Sequence, residues 1–407
     1  MVFGIAAVMA IAASALAASD LSPGPLSRAK ADARAAALAD LGQRMFFDSS
    51  LSASGKLACS SCHDPAHGFG PANALDVQIG GPHMDQPGLR AAPSLTYLQA
   101  DPQFSEHFFD NEDEGDESVD NGPTGGLMWD GRADRAEGQV RLPLTSPFEM
   151  ANADAGAVAA KLKAAAYAGD LRALFGAGVL DDPDAALVAA GQALAAYEET
   201  PTLFYPYSSK YDAYLAGKAT LTAQEMRGLK AFEAEDKGNC SSCHISEPAN
   251  DGEPPQFTDF GLIALGVPRN PRLASNRDPK YFDLGACGPL RTDLAGRAEY
   301  CGIFRTPSLR NVALRQTFAH NGFFHSLRDV VAFYATRDTD PGRWYPKDAS
   351  GAAEKYDDLP RQYWDNVNTD PPFGGKLGDK PPLTEADIDD IVAFLGTLTD
   401  GYKQAGN

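Results

Sequence analysis

Two short segments of the 407-residue chain repeat one arrangement of reactive side chains: Cys59-Ser60-Ser61-Cys62-His63 and Cys240-Ser241-Ser242-Cys243-His244. Thiols at i and i+3 reach the two vinyl groups on one edge of a haem macrocycle. The adjacent imidazole then lies under the iron, so CxxCH is the c-type haem attachment signature. The rival chemistry is zinc, which pairs CxxC with a second CxxC or with spaced histidines. Two CxxCH copies, each after a helix-like segment, favour haem. Cys59, Cys62, Cys240 and Cys243 are therefore expected to attach two haems, with His63 and His244 as proximal iron ligands.

A second constellation lies between the motifs. Trp129 is followed by Gln139 ten residues on, Pro143 fourteen on and Glu149 twenty on. Further along, Phe304-Arg305-Thr306-Pro307-Ser308-Leu309-Arg310-Asn311-Val312 leads to His320-Asn321-Gly322. Together with the CxxCH pair, these spacings resemble the bacterial di-haem cytochrome c peroxidase and MauG superfamily, from about Leu41 to the last helix. The resemblance implies an enzyme that cleaves hydrogen peroxide at the first haem. Heterolysis of the O–O bond needs a group that takes a proton from the inner oxygen and gives it to the outer one. A carboxyl group in an apolar pocket, with a raised pKa, suits that task. Glu149 is implied as this group. Gln139 would hydrogen-bond in the same pocket, Pro143 would shape it, and Trp129 would lie between the haems and assist electron transfer.

The family pattern is not followed everywhere. Classical members place a displaceable His after the first CxxCH in an Ile-Gly-His context. This chain reads Ile79-Gly80-Gly81, with His83 out of register, so the first haem is expected to be open to peroxide. The second haem of the peroxidases has a distal Met fourteen residues beyond the histidine that matches His320. Here that position is Tyr334, as it is Tyr in MauG, and no Met lies beyond Met226. The stripe Leu327, Val330, Val331, Tyr334 turns the phenol inward, and a phenolate ligand favours ferric iron. Tyr334 is thus the expected distal ligand. A Trp that MauG carries two residues before its second CxxCH is Gly238 here. The Asn that holds calcium between the haems in the family matches Ala91, which leaves calcium open.

Helical segments must position these groups. Leu38, Leu41 and Met45 recur at helical spacing within 27–47, ahead of the first motif. Thr222 to Glu225 forms a capping box, and Met226, Leu229 and Phe232 lead to the second. Alanine-rich helices are expected over 155–175 and 183–199, with a junction over 200–214 and a long loop over 245–306. Ser326 and Asp329, then Thr384 and Asp387, cap two more helices, the last with Ile388, Ile391 and Leu395 inward. The fold class is mainly α: two cytochrome c-like domains, 18–215 and 216–407, each wrapping one covalent haem, with long loops.

Composition sets the remaining bounds. The net charge is −20, which excludes a nucleic-acid partner and suits docking of a basic electron donor, a small c-type cytochrome or a cupredoxin. Gly4 to Leu16 is apolar and Ala15-Leu16-Ala17 fits a cleavage site, so 1–17 reads as a signal peptide for export to the periplasm. No later stretch looks membrane-spanning. In an oxidising compartment, Cys287 and Cys301 form a plausible disulfide worth roughly 3 kcal/mol. The acidic run 110–120 resembles an EF-hand loop without its final Glu, and reads as a solvated loop. Two other functions remain open beside peroxide reduction with electrons from a donor protein. One is MauG-like oxidation of a partner protein's side chains through a high-valent di-haem state. The other is a non-catalytic di-haem electron-transfer cytochrome or peroxide sensor.

Overall fold

The computed structural model describes residues 26–109, 120–250 and 252–403. The signal-like segment and all but Asp120 of the acidic run lie outside the described residues. Eleven α-helices are described: α1 Arg28–Phe46, α2 Ala136–Gln139, α3 Arg141–Thr145, α4 Ala155–Ala164, α5 Ala168–Phe175, α6 Pro183–Glu198, α7 Pro201–Phe204, α8 Lys210–Leu215, α9 Ala223–Glu233, α10 Leu327–Thr336 and α11 Glu385–Gly396. Sheet among the described residues is confined to two antiparallel pairs, β1 Ile79–Gly80 with β2 Gln86–Pro87 and β3 Leu262–Ile263 with β4 Phe304–Arg305. No helix among the described residues is long and apolar enough to cross a membrane.

Two helix crossings organise the molecule, and they are built alike. In the first, α1 lies against α6, and a Cβ on Gly42 would come 1.9 Å from the Ala193 carbonyl oxygen and 2.9 Å from Tyr197 Cβ. In the second, α9 lies against α11, and a Cβ on Gly228 would come 1.9 Å from the Asp390 carbonyl oxygen and 2.8 Å from Phe394 Cβ. Only glycine permits either approach. The partner in each case presents a carbonyl at one position and an aromatic ring four residues on. Around the first crossing the core gathers Leu41, Met45, Phe46, Leu194 and Phe204. Around the second it gathers Tyr211, Phe232, Phe257, Ile391 and Phe394.

Local chemistry sets the ends of these helices. The hydroxyls of Thr222, Ser326 and Thr384 accept from the backbone N–H groups of Glu225, Asp329 and Asp387, as the capping pattern requires. Asp182 caps α6, with Pro183 at its first position. The helix expected over 155–175 is broken into α4 and α5. Ala165 turns extended, and Tyr167 donates its hydroxyl to Asp48 at 2.7 Å, which lets Leu162 and Leu171 both enter the core. Among the described residues no α-helix lies between α9 and α10. That stretch is held by β3, β4 and a disulfide joining Cys287 to Cys301, fourteen residues apart.

The two cores are clamped together by buried polar contacts. Arg90 bridges Asp130 at 2.7 Å and Asp283 at 2.6 Å, all three withdrawn from solvent. Asp76 receives Arg272 and His325, each at 2.7 Å. Asp400 accepts from Tyr97 Oη at 2.9 Å, from Ser208 N at 3.0 Å and from Asn311 Nδ2 at 2.8 Å, tying the first core, the α7–α8 connection and the second core to one carboxylate.

Candidate di-haem site

Each CSSCH motif forms a single 3-10 turn, Cys59–Ser61 and Cys240–Ser242, that sets the following imidazole under the core. The Nδ1 of His63 lies 3.0 Å from the Phe69 carbonyl oxygen, and that of His244 lies 2.9 Å from the Phe257 carbonyl oxygen. A carbonyl can only accept, so Nδ1 carries the proton and Nε2 keeps a free lone pair for a metal. The Pro93 and Pro307 carbonyls stand beside the same two rings. Phe69 and Phe257 both adopt left-handed backbone, φ 50° and 55°, which turns their carbonyls back toward the imidazoles. Burial pushes His63 down to about 4 and lowers His244 too, so both imidazoles are neutral and ready to ligate.

The four thiols are equally set apart from reactive cysteines. Burial pushes Cys59, Cys62 and Cys240 up to about 12 and Cys243 to about 11. The motifs belong to different cores, and among the described residues no three His, Cys, Asp or Glu side chains converge as a zinc site needs. At the second motif the surroundings instead fit a large flat apolar group. A cavity of about 480 Å³ is lined by Cys240, Cys243, His244, Leu327, Val330 and Tyr334 and runs on to Pro93 and Trp129. That size is within the usual range for an enclosed ligand.

The second constellation is distributed between the two sites. Glu149 is half-buried, and the desolvation raises its pKa although Ser146 and Arg132 pull the other way. Its charge is felt at both Cys59 and Cys62, so the carboxyl group lies near the first motif. Gly80 of β1 and Gly81 just after it seat its backbone: Gly81 N–H donates to the Glu149 carbonyl at 2.8 Å, and a Cβ on Gly80 would strike the Phe148 carbonyl at 2.2 Å. Pro143, in α3, accepts from Met150 N at 3.1 Å and so closes the turn that carries Glu149. Gln139, at the end of α2, donates to the Met128 sulfur at 3.2 Å and not to Glu149. Trp129 donates its indole N–H to the Ala91 carbonyl at 2.8 Å and lines the cavity. Tyr334 lines the same cavity and faces Cys240 and Cys243, with its phenol pushed up by burial.

A family model described as di-haem cytochrome c peroxidase matches residues 36–220. The methylamine utilization protein MauG of Paracoccus denitrificans is 35% identical over 382 residues, 89% of either chain. The chain belongs to this family. The cytochrome c551 peroxidase of Pseudomonas aeruginosa is 31% identical over 297 residues, 72% of this chain and 70% of its own. The crystal structure of the di-haem peroxidase BthA from Burkholderia thailandensis superposes with a TM-score of 0.80 at 43% identity, covering 89% of this chain and 86% of that one. The protein is a di-haem peroxidase, an oxidoreductase of mainly helical, cytochrome c-like architecture, and its family carries two c-type haems.

In this peroxidase the departures from the family pattern have structural counterparts. His83 is exposed in the β1–β2 turn. A Cβ on Gly238 would lie 2.6 Å from the Ala231 carbonyl and 3.0 Å from Cys240 Sγ, so no larger side chain fits there. At Ala91 the methyl offers no oxygen. Its N–H donates to the His320 carbonyl at 2.7 Å, and its carbonyl is engaged by Trp129. The next carbonyl, of Ala92, receives Arg315 Nη2 at 3.0 Å. Calcium needs six to eight oxygen ligands, and these residues do not fit it. Sequence reasoning missed Phe69, Phe257 and Arg315. The recurrence of Pro-Ser-Leu at Pro93 and at Pro307 was the available signal for the carbonyls that flank the imidazoles.

Proposed function

We propose that hydrogen peroxide is reduced beside the first CSSCH motif with Glu149 as acid–base group, and that electrons enter through the second motif, beneath Tyr334. One observation carries this reading: Glu149, its backbone pinned by Gly81 and its half-buried carboxyl group raised in pKa by desolvation, lies close enough to Cys59 and Cys62 for its charge to be felt at both. Cys59 and Cys62 would hold the first haem with His63 as ligand. Cys240 and Cys243 would hold the second, with His244 and Tyr334 as its ligands. The iron, when bound, supplies the redox chemistry of O–O cleavage. The protein's part is proton handling. Glu149 takes the proton of the inner peroxide oxygen and returns it to the outer one, and its apolar surroundings keep water from competing for that proton. Pro143 holds the turn, Gln139 and Met128 close its flank, and Trp129 bridges toward the second site.

The two haem units would be 18–215 and 216–407, exported to the periplasm by a signal at 1–17. The acidic surface suits a basic donor, a small c-type cytochrome or a cupredoxin. Tyr334 supports a second reading, oxidation of a partner protein's side chains as MauG performs it, while Gly238 stands against MauG's route to that partner.

The test is steady-state oxidation of a reduced c-type cytochrome by peroxide with the haem-loaded protein. Glu149→Gln is expected to lose about 10²- to 10⁴-fold in turnover while the absorption spectrum of both haems stays the same. Turnover equal to that of the parent protein would overturn the assignment.

A further inference from the structure

Arg315 lines the central cavity and has no carboxylate partner among the described residues. Its guanidinium is held by backbone alone: Nε donates to the Thr317 carbonyl at 3.3 Å and Nη2 to the Ala92 carbonyl at 3.0 Å. Nη1 lies against Gly70, where a Cβ would come within 3.4 Å of it. The charge is felt at His63, and the cavity it lines is the one that holds His244 and Tyr334. The segment that carries Arg315 is part of the second core's loop, yet the carbonyl it grips is that of Ala92, beside the indole partner of Trp129. A cation is thus placed between the two haem sites, on the carbonyl of Ala92, one residue beyond Ala91, the position where the family pattern has the Asn that holds a metal ion.

We propose that Arg315 replaces the inter-haem calcium: a guanidinium fixed by the Ala92 and Thr317 carbonyls supplies the positive charge between the haems, and the peroxidase works without the metal. An arginine is charged at every physiological pH and presents its donors in a rigid fork, so it can engage carbonyl oxygens that would otherwise face a hard cation. It cannot be lost to a chelator. A positive charge between two haems favours the reduced state of each, so Arg315 is a positioning residue for charge that raises both reduction potentials.

The experiment uses purified protein with both haems attached. Metal analysis after desalting is expected to find far less than one calcium per chain. Treatment with EGTA, or addition of calcium chloride, is expected to leave the absorption spectrum and both midpoint potentials unmoved. Arg315→Gln is expected to lower both potentials, and Arg315→Lys to lower them less. Calcium retained at one per chain would overturn the proposal, as would potentials that move on chelation. So would an Arg315→Gln protein whose two potentials match those of the parent. Should Arg315→Gln fail to fold, the calcium measurements on the unaltered protein decide alone.

Discussion

At the residue scale, Tyr334 separates this chain from peroxidases with a distal methionine. Its half-buried phenol sits beside Cys240 and Cys243, and burial, reinforced by the cysteines and Asp259 against the pull of Arg337, holds the proton on it. Only a strong Lewis acid can displace that proton, which ferric iron is. Tyr334→Phe is therefore expected to convert the second haem from a six-coordinate to a five-coordinate ferric state, seen as a high-spin signal in EPR, and to raise its reduction potential. An EPR spectrum identical to that of the parent would remove Tyr334 from the ligand set. Groups whose chemistry depends on their type could be named as candidates from the sequence: the four thiols and both imidazoles from CxxCH, and the carboxyl of Glu149 and this phenol from the family spacing. The Phe69 and Phe257 carbonyls could not, because a backbone acceptor looks the same in every residue. What marks them is a left-handed backbone, which the residue type Phe does not announce. Arg315 was illegible for the opposite reason. Its type is common, and its partners, Ala92 and Thr317, offer no charge to pair with it in a sequence.

At the element scale, the helix caps could be read directly, since Thr222, Ser326 and Thr384 each stand three residues before an acidic side chain. The split of the 155–175 helix could not, because alanine favours a continuous helix and only Tyr167 reaching Asp48 pulls the chain aside. The crossings were illegible too, as a glycine within a helix has many possible reasons. The structure gives the reason at Gly228: the Asp390 carbonyl occupies the place of its missing Cβ. Gly228→Ala is expected to cost at least about 1–3 kcal/mol through forced separation of α9 and α11, measured as a lowered midpoint in thermal unfolding of the haem-loaded protein. Gly169→Ala serves as the contrast. It lies in α5 with nothing within 4 Å of a new Cβ, and is expected to gain up to about 1 kcal/mol from helix propensity. Equal destabilisation by both substitutions would deny the crossing its special role.

At the scale of the whole molecule, the mainly helical class and the doubled haem unit were legible because haem attachment is written in contiguous residues. The clamp between the units was not. Arg90 and Asp283 are separated by 193 residues, and no periodicity relates them. The junction around 200–214 read as a linker from its prolines, yet Ser208 within it is bonded to Asp400, which also holds Tyr97 and Asn311. One carboxylate fastened at three points of the chain opposes rocking of the two cores against each other. Electrons passing from one half to the other then cross a gap of constant width, at a rate set by tunnelling and driving force rather than by diffusive motion. Thickening the solvent with glycerol is expected to leave that internal rate unchanged in flash-photolysis traces. Asp400→Ala would make it fall as viscosity rises, turning a fixed wire into a gated one.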